Sequence, residues 1–158
     1  MKTMLERGAG ILMPVSSLPS PYGIGTFGSA AYDFVDFLKK ARQKYWQVLP
    51  VGPTSYGDSP YQSYSAFAGN PYFIDLEELV EAGFLTRKEV EACDCGKAAR
   101  DIDYGKLYEN RFKLLRKAYE RANVGEDQEF EAYRRENAWW LDDYALYMAV
   151  KARFDQTA

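Results

Sequence analysis

The sequence predicts a protein of the α/β class that opens with a parallel βαβ unit. Three observations carry this. "GILMPV" (Gly10 to Val15) is a short, nearly continuous apolar run, the pattern of a buried strand. "SAAYDFVDFLKKAR" places Ala30, Ala31, Phe34, Phe37, Leu38 and Ala41 at helical spacing. "YWQVLPVG" (Tyr45 to Gly52) is a second apolar run, stopped by Pro50 and Pro53. Strand, helix and strand in this order call for parallel strands and a right-handed crossover.

The elements follow in order. "SSLPSPYGIGTFG" joins the first strand to the helix and reads as a long loop, because Ser, Pro and Gly dominate it. Ser29 is the expected N-cap, and Lys39, Lys40 and Arg42 near the other end suit the helix dipole. After the second strand comes an aromatic loop, then three helical pieces. "DLEELVEAGFL" ends with Gly83 as its expected C-cap. "YGKLYENRFKLLRKAYERA" sets Leu107, Phe112, Leu115 and Tyr119 on one predicted core face. "DQEFEAYRRENAWWLDDYALYMAVKARF" is a long helix with an aromatic stripe, in which Trp139 and Trp140 are expected as core. Asp142 and Asp143 are adjacent and point in different directions on a helix, so they read as a solvated face or a cap rather than a catalytic pair.

Composition narrows the function. At 158 residues the chain is the size of one ordinary domain, and 47% apolar residues suffice for a core. The formal charge of −3 argues against a nucleic-acid partner, which requires a basic face. There is no His, so Ser-His-Asp and Cys-His machinery and His-based metal sites are excluded within this chain. The two Cys, Cys93 and Cys95, have the wrong spacing for C-x-x-C redox chemistry, and no second pair completes a zinc site; they read as reduced thiols in a turn. The N-terminal apolar run is broken by Pro14, unlike a secretory signal, and no run reaches membrane-span length. A cytoplasmic location is therefore expected, with neither metal nor cofactor and no membrane partner.

"GIGTFG" matches G-x-G-x-x-G at Gly23, Gly25 and Gly28. A dinucleotide site needs the first Gly at the strand end and an acid closing the second strand. Here Pro19 and Pro21 intervene and "QVLPVGPT" carries no acid, so the glycines read as loop punctuation.

The loop "YGDSPYQSYSAFAGNPYFIDL" (Tyr56 to Leu76) leaves the C-terminal end of the second strand, the end that carries ligands in parallel α/β folds. Tyr56, Tyr61, Tyr64, Phe67 and Tyr72 offer flat faces. Asp58, Ser59, Gln62, Ser63 and Asn70 offer hydrogen-bonding groups. Rings beside hydroxyls and amides suit a sugar, whose C–H face stacks while its hydroxyls bond. The competing reading is a Tyr-rich loop packed on its own fold, with Asp58 closing a turn before Pro60.

"PVSSLPSPYGIGTFG", "YWQVLPVGPTSYGDSPYQSYSAFAGNPYFIDL" and "WWLDDYALYMAVK" together resemble the N-terminal part of the 4-α-glucanotransferases, the amylomaltases or disproportionating enzymes, from about Gly10 to Phe154. The resemblance implies the N-terminal part of a (β/α)8 TIM barrel with a mainly helical inserted subdomain. Residues 1–72 would be the first βαβ portion with the substrate loop, and residues 73–158 the insertion. Tyr45 and Trp46 would then pack on the barrel exterior and interior. A complete barrel takes about 250 residues, so the chain reads as truncated. The resemblance also implies retaining double displacement: a carboxylate takes up a segment of an α-1,4-glucan or maltooligosaccharide donor, and the 4-hydroxyl of a glucose or maltooligosaccharide acceptor removes it. No motif here matches the family's catalytic acids. They are expected beyond residue 158, and the chain alone is expected to be inactive. Substrate-binding roles carry over to Tyr61, to Ser59 and Asp58 beside it, to Gln62 in the same motif, to Tyr56 and to Tyr108 in "GKLYENR". A non-catalytic carbohydrate-binding module and an α-amylase-type hydrolase are the alternatives.

Overall fold

The computed structural model describes residues 7–55, 57–96 and 101–154. Strand β1 (Gly10–Leu12) and strand β2 (Tyr45–Gln47) pair in parallel, with Ile11 opposite Trp46. Helix α1 (Ser29–Lys40) crosses between them. The βαβ unit is thus present, but both strands are shorter than their apolar runs. The β1 run leaves the ladder at Met13 and enters a 3-10 turn at Val15–Ser17. No further strand lies beside β2 among the described residues, so Val48 onward has no ladder to join.

Ile11 and Trp46 face α1. The Trp46 ring meets Phe34 edge-on at 5.0 Å, and its Nε1 donates to the Met13 carbonyl at 2.7 Å. Tyr45 covers the opposite face, where Gly8 and Gly10 leave it room. Strand alternation accounts for this split, since adjacent residues of β2 point to opposite faces: Trp46 takes the side covered by α1 and Tyr45 the other.

The long loop after β1 is stitched onto residues 72–77. Phe27 N donates to the Phe73 carbonyl, Thr26 to the Asp75 carboxylate and the Tyr22 hydroxyl to Glu77. The N-cap of α1 is Gly28, not Ser29. A Cβ on Gly28 would collide with the Asp75 carboxylate, which occupies that space. Gly23 is likewise a contact point as well as a turn: its φ is +81°, and a side chain there would strike the Cys95 carbonyl.

Asp75 also caps helix α2 (Leu76–Glu81), accepting from Glu77 N at 2.8 Å and Glu78 N at 3.2 Å. Gly83 follows in the left-handed region at φ +79°, as its expected role requires. Helix α3 (Arg87–Glu91) opens with a capping box between Thr86 and Glu89. Helix α4 (Tyr104–Lys106) runs through a π turn at Leu107–Arg111 into helix α5 (Phe112–Ala122). Helix α6 (Gln128–Phe154) ends the described chain.

The core sits between α2, α3 and α5, around Leu76, Leu85, Val90, Leu114 and Ala118. A second cluster joins Ile24, Tyr72, Cys95 and Leu107. The α5 stripe differs from its expected position. Leu107, Arg111, Leu114 and Ala118 face inward, while Phe112 and Tyr119 are exposed. Arg111 belongs to the inner face, and its charge disguises that face in the sequence. Trp139 and Trp140 are not core either. Trp139 is 67% exposed, Trp140 half-buried, and none of the described α6 residues is buried. Asp142 and Asp143 are exposed, consistent with a solvated face.

Candidate functional site

The aromatic loop folds back as a small hairpin. Thr54 and Ser63 form an antiparallel bridge, and Ser55 N donates to the Gln62 carbonyl at 3.2 Å. At its turn Gln62 N donates to the Ser59 carbonyl at 3.1 Å, while Ser59 Oγ accepts from Tyr61 N at 3.3 Å. These local bonds hold Tyr61 outward, 73% exposed, with the Gln62 side chain exposed beside it. Ser65 Oγ accepts from Phe67 N and Ala68 N, which shapes the return.

Asp58 sits in the left-handed region at φ 57°, a conformation Asp tolerates better than most residues. Its N–H donates to the Ser55 carbonyl at 3.0 Å, so it does close a turn before Pro60. Its carboxyl is half-buried, and that burial raises its pKa. Behind it stands an aromatic wall. Tyr72 lies 6.2 Å from Tyr104 and 5.4 Å from Phe112, and Tyr108 meets Phe112 edge-on at 6.0 Å. Burial pushes the Tyr72 hydroxyl up to about 12, with the nearby Asp58 charge adding to the effect. Burial also raises Tyr104, again with Asp58 contributing. Both phenols therefore stay neutral donors near pH 7.

The structure brings Asp58, Ser59, Tyr61 and Gln62 together on one hairpin, and places Tyr108 on the wall behind Asp58. Tyr108 is 66% exposed. Tyr56 lies outside the described residues. Tyr72 and Asn70 do not offer themselves to a ligand: both are buried, and Asn70 Oδ1 caps the turn at Pro71–Phe73 by accepting from Tyr72 N at 3.0 Å. Tyr64 is engaged with Tyr147 at 5.9 Å and lies under Lys151 Nζ at 5.1 Å. Phe67 meets Trp139 at 4.7 Å. The packing reading of the loop thus holds for some rings and not for others. Tyr64 and Tyr72 pack on the fold, and Tyr61 faces solvent.

Tyr104 and Arg111 were missed as parts of this region. Tyr104, Tyr108 and Phe112 recur every four residues, and that spacing was a readable signal for a shared helix face. Arg111 had no such signal. Among the described residues, no three His, Cys, Asp or Glu side chains gather as metal ligands.

Comparison with known proteins finds relatives of one kind. The chain is 54% identical over 156 residues to a 4-alpha-glucanotransferase of Streptococcus pneumoniae, covering 98% of this chain and 31% of that relative. It is 37% identical over 155 residues to a chloroplastic/amyloplastic 4-alpha-glucanotransferase of Solanum tuberosum, covering 92% and 26%. The solved amylomaltase from Streptococcus agalactiae in complex with acarbose superposes with a TM-score of 0.88 at 41% identity, over 97% of this chain and 31% of that one. The chain thus spans about a third of the length of these relatives. The sequence pattern of the 4-alpha-glucanotransferases matches residues 13–158, which includes the Tyr61 hairpin and the Tyr108 helix, and on that match the chain belongs to the 4-alpha-glucanotransferase family.

Proposed function

We propose that this chain is the glucan-gripping portion of an enzyme that moves a segment of an α-1,4-glucan onto the 4-hydroxyl of glucose or another maltooligosaccharide. The observation that carries the reading is the pair of exposed phenol rings, Tyr61 on the hairpin and Tyr108 on the wall, with Asp58 of the hairpin turn close enough to Tyr72 of that wall to act on its hydroxyl. Each ring can stack on the C–H face of a glucose unit, worth about 0.5–1.5 kcal/mol if aromatic pairs are the guide. Ser59, Gln62 and Asp58 supply hydrogen-bonding groups to sugar hydroxyls, and Tyr56 extends the grip.

The transfer itself is retaining double displacement, with one carboxylate as nucleophile and another as acid/base. Both acids belong to sequence outside residues 1–158. In this reading residues 1–72 are the opening βαβ portion of a (β/α)8 barrel, and residues 73–158 are a helical insertion that supplies the wall. A ring that shields the covalent glucosyl carboxylate from water favours a sugar acceptor over hydrolysis. The two free thiols, Cys93 and Cys95, fit a reducing cytoplasm. The net charge of −3 fits neutral sugar partners rather than nucleic acid.

The test is product analysis on maltotriose. The full-length enzyme should yield glucose together with longer maltooligosaccharides, and residues 1–158 alone should yield neither. Tyr61→Ala should lower kcat/KM for transfer by about 2- to 10-fold and raise the share of hydrolysis. Unchanged turnover and product ratio in Tyr61→Ala would remove that ring from the reaction. Transfer by residues 1–158 alone would overturn the placement of the acids.

A further inference from the structure

Arg111 is an ionisable side chain with 0% exposure. Its Nη2 donates to the Ile74 carbonyl at 2.7 Å, and its Nη1 reaches the Tyr22 carbonyl at 3.5 Å. Among the described residues its Nε has no hydrogen-bond partner. Burial lowers its pKa, while the neighbouring Cys95 and Asp75 oppose that shift. Burying a guanidinium is costly unless it is well paired, and Met at this position would fill similar space without that cost.

The location suggests why the charge is placed there. Arg111 closes the π turn Leu107–Arg111, and such turns mark local changes of helix register. The turn contains Tyr108 and stands between Tyr104 and Phe112, so its register sets the direction of the whole wall. The two carbonyls that Arg111 holds come from different segments. Ile74 ends the loop that begins with the Tyr61 hairpin, and Tyr22 belongs to the loop after β1. A planar fork spanning both can fix three segments at once, which an apolar side chain cannot.

We propose that Arg111 is a positioning residue for glucan binding: by clamping the Ile74 and Tyr22 carbonyls it sets the register of the π turn and so holds the Tyr108 ring at the angle and distance from the Tyr61 hairpin that a maltooligosaccharide requires. This rests on the glucan reading above, and it assigns Arg111 an action through Tyr108 without contact with sugar.

A double-mutant cycle on the full-length enzyme tests it, with maltoheptaose binding measured by calorimetry. Tyr108→Ala should weaken binding about 2- to 10-fold. Arg111→Met should weaken it by a similar factor, and adding Tyr108→Ala to Arg111→Met should cause little further loss. Arg111→Lys, which keeps a donor but loses the fork, should recover part of the affinity. If Arg111→Met does not fold, Arg111→Gln, which keeps a donor, replaces it in the cycle. Losses that multiply independently, or an Arg111 variant that binds like wild type, would overturn the inference while leaving the glucan reading intact. Wild-type binding by Tyr108→Ala would instead overturn the glucan reading of this helix, and the inference with it.

Discussion

Helix α5 sorts its apolar and polar residues onto opposite faces, helix α6 hardly does, and the two sit in opposite surroundings. Over Phe112–Ala122, α5 buries Leu114 and Ala118 against α2 and α3, continuing the stripe of Leu107 and Arg111. Over Gln128–Phe154, α6 is more than twice as long and has no buried residue among those described; Leu146 is 65% exposed and Trp139 67%. The aromatic loop after β2 touches α6, through Phe67 and Tyr64. The difference shows that helix formation and helix burial are separate matters. Both helices satisfy their backbones locally, but among the described residues only α5 buries side chains. The middle of the chain, from Tyr72 to Ala118, carries its own core. The strands and α6 present apolar surface outward.

The largest expected effect tests this contrast directly. Leu76→Ala, at 0% exposure in the central cluster, should cost about 2–5 kcal/mol in denaturant unfolding. Leu146→Ala should stay within about 0.5 kcal/mol. A comparable loss at Leu146 would break the comparison, because it would mean that α6 is covered in solution.

A smaller effect is expected at the link between α2 and α3. Gly83 holds φ +79°, and a Cβ there would meet nothing within 4 Å, so the cost of Gly83→Ala is purely conformational. It should be about 1 kcal/mol by the same unfolding measurement. A neutral result would show that this link relaxes without disturbing the core.

The smallest change is one of pH dependence. Arg121 first, then Thr86, hold the Glu89 carboxyl well below the usual carboxylate range. A folded-state pKa below the unfolded one gives stability that is present above the ordinary Glu value of about 4.3. That stability is lost as pH falls toward the lowered folded value. Glu89→Gln should therefore flatten the fall in Tm below about pH 4 and change little in the slope near neutrality. An unchanged acid limb would show that this exposed pair contributes nothing measurable, as many surface pairs do.

Much of the local order was readable in advance. The βαβ unit, the Gly83 stop, the long final helix and the Asp58 turn all follow from periodicity and turn chemistry, which act over a few residues. Arg111 was unreadable, because a charged residue on a helix normally marks the solvent face and nothing nearby announces its two distant carbonyls. Trp139 and Trp140 misled for the complementary reason. An apolar stripe shows which face would favour burial, but not whether a neighbour covers it.

The residues alone therefore determined which segments become strand, helix and turn, and which motif marks a sugar-handling family, since backbone preference and side-chain chemistry are local properties. Only the tertiary structure decided which rings of the loop face solvent, which charge goes inside and which helix stays bare. Those outcomes depend on contacts between residues far apart in sequence, such as Arg111 with Tyr22 and Ile74 or Phe67 with Trp139. Their free energy exists only once the chain has brought the partners together.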